Sequence, residues 1–133
     1  MSVPAEVQIT SCPATVPISG SPSAYNVSTR YADSSSALGS GATFTGTGRD
    51  SGAAVTSQYS KIRALAASDQ SGNLYLEQSP DNSTWYTTKT IALTGGTPVT
   101  LEDGLIQRYW RVRYVNGGTA QGSFRLDSAM IGI

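Results

Sequence analysis

The stretch Arg108-Tyr109-Trp110-Arg111-Val112-Arg113-Tyr114-Val115-Asn116-Gly117-Gly118 decides the fold class. Its residues split into two alternating sets, Arg108/Trp110/Val112/Tyr114 and Tyr109/Arg111/Arg113/Val115. A period of two marks a strand, because successive side chains leave opposite faces of the pleat. Trp, Tyr and Val also suit a pleated, half-buried surface better than a helix. Asn116-Gly117-Gly118 then reads as a hairpin turn, since Asn and Gly tolerate the positive φ that tight turns need.

The same period extends outward from this segment. Phe124 and Leu126 point one way and Arg125 the other. Upstream, Ile62, Ala64 and Ala66 alternate with Lys61, Arg63 and Leu65, and Leu74 and Leu76 with Tyr75 and Glu77. Thr84 to Leu93 is a long strand rich in Trp, Tyr, Thr and Ile, and Val99 pairs with Leu101 in a short one. Asp69-Gln70-Ser71-Gly72, Ser79-Pro80-Asp81-Asn82-Ser83, Thr94-Gly95-Gly96-Thr97 and Asp103-Gly104 separate these runs as turns and loops. About seven strands at this spacing, with no helical stripe, give an all-β fold: an antiparallel β-sandwich of jelly-roll type.

Residues 1–42 read differently. Pro4, Pro13, Pro17 and Pro22 are four of the six prolines, and each removes a backbone donor. Short alternations occur at Val7/Ile9 and Tyr25/Val27, and Ser34 to Gly41 reads as a flexible link. The expected organisation is an extended N-terminal arm over 1–42, with one or two short strands, followed by a β-sandwich domain over 43–133.

Composition narrows the chemistry. The chain has 133 residues, no His and one Cys, so no Ser-His or Cys-His pair, imidazole metal site or intrachain disulfide is available. No carboxylate pair is placed for general acid-base work, and Thr45 to Asp50 lacks the lysine of a phosphate loop. The expectation is a protein that is not an enzyme, with no metal and no cofactor. Nine basic and nine acidic residues cancel, which argues against a nucleic-acid partner. No apolar run is long enough for a membrane helix, so no membrane partner is expected, and no secretory leader is visible. Cys12 accordingly reads as a free thiol in a reducing compartment. Charged residues are 14% against roughly 25% in typical soluble proteins, and 19 Ser and 15 Thr supply a neutral hydroxyl surface. Such a surface suits a protein that spends its life docked to others.

Three residues are candidates for partner or glycan contact: Trp85, Arg111 and Arg113. Arg111 and Arg113 share a strand face and admit three readings: an anion ridge, pairing with acids across the sheet, or pairing between subunits. Trp85 follows a polar loop, where it either stacks on a sugar ring or packs against its neighbours.

Two segments carry a resemblance. Ser71 to Trp85 runs strand then E-x-S-x-D-x-x-x-W, with Glu77, Ser79, Asp81 and Trp85 at the fixed positions. Tyr109 to Leu126 contains VRYVNGGTAQGSFRL. Together they resemble the β-sandwich accessory proteins of tailed-bacteriophage virions, found as head decoration (cement) proteins and tail-associated domains. The resemblance implies a virion structural protein, assembled in the host cytoplasm, that binds the outside of the head and stabilises the shell by bridging subunits. It implies the major capsid protein or other virion proteins as partners, and a homo-oligomer, expected as a trimer. A tail or fibre component, or a carbohydrate-binding recognition module, is the alternative. The resemblance carries over no active-site residue.

Overall fold

The computed structural model describes residues 27–52 and 58–132, and all regular structure among them is strand. In chain order the strands are β1 (Val27–Ser34), β2 (Thr43–Thr45), β3 (Arg49–Asp50), β4 (Lys61–Ser68), β5 (Gly72–Ser79), β6 (Tyr86–Leu93), β7 (Val99–Gly104), β8 (Tyr109–Asn116) and β9 (Phe124–Gly132). One sheet has the order β1-β9-β4-β7 and the other β2-β8-β5-β6, with β3 also on β8. Every pairing is antiparallel.

The expected alternation places the core. Ile62, Ala64, Ala66, Leu101, Leu126 and Met130 face inward from the first sheet, and Leu74, Leu76, Trp110, Val112 and Tyr114 from the second. Aromatic contacts cross between the sheets. Tyr114 lies 4.8 Å from Phe124, and Tyr31 meets Trp110 edge to face at 6.0 Å. Each fully buried Leu, Ile or Val here contributes roughly 1.5–3 kcal/mol relative to exposure.

Three expectations need correction. The boundary at residue 42 falls inside the folded unit, because β1 pairs with β9 from Val27 to Ser34. The inward positions of β1 are Val27, Thr29, Tyr31 and Asp33, two of them polar, so hydrophobic alternation does not reveal the strand. Ser34 to Gly41 is held rather than loose. Leu38 packs on the core, its N–H donates to Gln121 Oε1, and the Asn116 amide donates to Gly39 O at 2.8 Å. Asn116-Gly117-Gly118 closes no hairpin: β8 and β9 lie in different sheets, so this turn carries the chain from one sheet to the other. Residues 1–26, with Cys12, Val7/Ile9 and the prolines at 4, 13, 17 and 22, lie outside the described residues.

The outer strands are blunted. β1 carries an extra residue at Asp33 opposite β9, and β6 carries one at Thr88 opposite β5, so each ladder is interrupted. β2 and β3 are short and separated at Gly46, and β7 follows Pro98 and bears Glu102 and Asp103. These are the devices by which sheets avoid pairing edge to edge.

Candidate functional site

The outer face of the second sheet gathers the charged and aromatic residues that the sequence nominates. The register sets Glu77 of β5 opposite Arg111 of β8, and Tyr75 opposite Arg113. Arg111 Nε donates to Glu77 Oε1 and Arg113 Nε to Oε2, both at 2.8 Å, and Thr87 Oγ1 of β6 adds a third donor at 3.1 Å. The Glu77 side chain is only 7% exposed, whereas the Arg111 and Arg113 side chains are 21% and 26% exposed. Each guanidinium also lies over a ring, Arg111 over Trp85 at 4.3 Å and Arg113 over Tyr75 at 4.1 Å. Burial opposes ionisation of Glu77, but hydrogen bonds and charge from Arg113 and Arg111 outweigh it and hold the carboxyl below its ordinary value of 4.5.

The turn before Trp85 belongs to the same unit. Asp81 Oδ1 accepts from the Ser83 and Thr84 N–H groups at 2.9 and 2.8 Å and meets Ser79 Oγ at 3.0 Å. Those backbone and hydroxyl donors lower the Asp81 carboxyl as well. Asn82 sits at φ 60°, a left-handed conformation that Asn tolerates. Glu77, Ser79, Asp81 and Trp85, the fixed positions of the E-x-S-x-D-x-x-x-W pattern, thus build one device. Glu77 pins two arginines, Ser79 and Asp81 shape the turn, and the turn returns Trp85 to cover Arg111.

A second ion pair lies between the sheets. Arg49 of β3 reaches Asp33 of β1 at 3.1 Å and stands over the Tyr31 ring at 3.8 Å. The Asp33 side chain is 2% exposed and also accepts from Ser128 Oγ. Burial raises its carboxyl, against the hydrogen bonds from Ser128 and Arg49.

All three nominated residues therefore meet in one cluster. Of the three readings of Arg111 and Arg113, the fold realises pairing with an acid across the sheet. Arg111 occupies one face of the part-buried Trp85, which leaves a sugar at most the other face. Sequence reasoning did not nominate Glu77, Asp33 or Arg49, because each acts through a cross-strand or inter-sheet neighbour that only the register reveals. Among the described residues, no group of three or more Cys, Asp or Glu is placed to hold a metal ion. The cluster can hold charge and rings in fixed positions. Its carboxylate, ionised and satisfied by three donors, has no proton to give.

Comparison with known proteins adds kinship. The phage-like element PBSX protein XepA of Bacillus subtilis (strain 168) is 39% identical over 69 residues, which is 50% of this chain and 24% of that protein. YqxG of the same organism is 35% identical over 72 residues, 53% of this chain and 24% of that protein. The chain thus spans about a quarter of the length of these curated relatives. The crystal structure of PBSX exported protein XepA superposes with a TM-score of 0.70 at 30% identity, covering 77% of this chain and 36% of that one. The SPBc2 prophage-derived protein YomS shares the fold at a TM-score of 0.53 and 9% identity, covering 90% of this chain and 100% of that one. The family model described as the uncharacterised protein YqxG N-terminal domain matches residues 19–131, and the chain belongs to that family.

Proposed function

We propose that this chain is a non-catalytic structural protein of a phage-type particle, a decoration protein that binds the outside of the head and bridges shell subunits. The observation that carries the reading is the internally paired cluster. Glu77 engages Arg111 and Arg113, and each arginine lies over an aromatic ring, so the sandwich offers a partner its surfaces rather than a reactive group. The phage-element relatives support the setting. The major capsid protein is the partner, and the chain acts as a trimer in the assembled virion. The mechanism is linkage: a ligand that binds only the assembled lattice stabilises it. A modest interface repeated over a symmetric shell adds up to a large total.

Reconstitution tests this. Purified chain is added to cognate particles that lack it, and bound copies and the shell's thermal transition are measured. Saturable binding with an upward shift of the transition is expected, with trimers in sedimentation equilibrium. Failure to co-sediment with the particles would overturn the reading.

A further inference from the structure

The outer face of the first sheet holds a groove of about 570 Å³ that shares no residue with the Glu77–arginine–aromatic cluster. Apart from Leu65, its floor is made of short side chains. The register lines up Ala32, Asp127, Leu65 and Thr100 across β1, β9, β4 and β7, with Arg30, Ala129, Arg63 and Glu102 in the next row. Arg30, Arg63 and Arg125 line the groove above this floor, and long guanidinium side chains beside alanines make walls. Leu65, 37% exposed, is the large apolar residue of the floor.

The charge of this face is unbalanced although the chain is neutral. Arg30, Lys61, Arg63 and Arg125 face outward with only Glu102 and Asp127. Arg63 pairs with Glu102 and Arg125 with Asp127, both in the open. Exposed Arg30 has no acidic partner among the described residues. Exposed arginines around an apolar floor complement carboxylates that flank an apolar side chain. The outer strands are blunted, so a partner reaches this molecule by a face more readily than by a strand edge.

The geometry points to this groove as the docking site for an acidic polypeptide segment of a partner, an apolar side chain against Leu65 and carboxylates on Arg30 and its neighbours. The inference concerns the partner's chemistry and stands whether or not the partner belongs to a shell.

The test is amide shift mapping by NMR, titrating the whole chain with a short aspartate-leucine peptide and with its lysine-leucine counterpart. Shifts confined to Arg30, Ala32, Arg63, Leu65 and Ala129 are expected with the acidic peptide only, weakening as salt rises. Arg30→Glu, on an exposed side chain, leaves the fold intact and weakens binding about tenfold, or about 1.4 kcal/mol. Leu65→Asp abolishes it. Equal response to the basic peptide, shifts centred on the second sheet, or equal binding of a polyuronate would overturn the proposal. So would shifts that follow the chain's own concentration and mark the groove as a contact between copies.

Discussion

Glu77 is where the outer face of the second sheet converges. Removing its charge leaves two partly covered guanidiniums facing each other, and breaking a buried pair from one side costs several kcal/mol. Solvent at Arg111 and Arg113 reduces that cost. Glu77→Gln is therefore expected to lower unfolding stability by about 2–3 kcal/mol in urea titrations. The effect depends on pH with a defined sign. The folded carboxyl titrates below its ordinary 4.5, so its contribution is complete above pH 4.5 and disappears as pH falls through the depressed value. The gap between wild type and Glu77→Gln should close in acid, and a constant gap would contradict the ion-pair account. Asp33 behaves oppositely: its carboxyl is raised, so its protonated form favours the fold and its contribution declines as pH rises through the raised value. Asp33→Asn should remove that decline, read as a flatter stability profile on the acid side of neutrality. Arg111 and Arg113 were legible as a pair on one face, but their partner was not. Alternation assigns a face, while register decides which acid stands opposite.

The strands of the core were legible because each carries two or three successive apolar inward positions, even where a buried Ser68, Gln78, Asn116 or Ser128 also faces inward. Ile62/Ala64/Ala66, Leu74/Leu76 and Trp110/Val112/Tyr114 all lie buried as their alternation requires. β1 was not legible, since Thr29 and Asp33 occupy inward positions and their compensation comes from other elements. Tyr31 shows how much the strand contributes. It touches both Trp110 and Arg49 across the sheets, and Tyr31→Ala should cost about 2–4 kcal/mol by thermal unfolding. The break between β2 and β3 is equally specific. The Gly46 N–H donates to Val112 O at 2.8 Å, and a Cβ at Gly46 would lie 2.7 Å from that same oxygen. Gly46→Ala should force the strands apart and destabilise by about 1–3 kcal/mol in urea titrations, whereas Gly118→Ala, with open space around it, should change little. The turns illustrate a different limit. Asn116, Gly117 and Gly118 take no positive φ, and Gly117 is fixed by a close approach in which a Cβ would lie 2.7 Å from Ser71 O, so the segment identified a turn without identifying which sheet received the next strand.

At the scale of the molecule, two packed sheets present two unlike outer faces and blunted edges. One face is closed by its own arginine-glutamate-aromatic brace. The other is grooved, basic and open. On the proposed reading, such a body joins an assembly by being laid against it. Low charge, many hydroxyls and the absence of His are what motivate the proposal of a docked, non-catalytic role. The composition could not say which face carries the groove, because that follows from the sheet order. Electron cryomicroscopy of cognate particles tests the central claim most directly. The account predicts density for this sandwich at regular positions on the outer surface of the head, with the β1-β9-β4-β7 face against a neighbouring subunit. Particles complete without the chain, or the chain found only free of them, would contradict it.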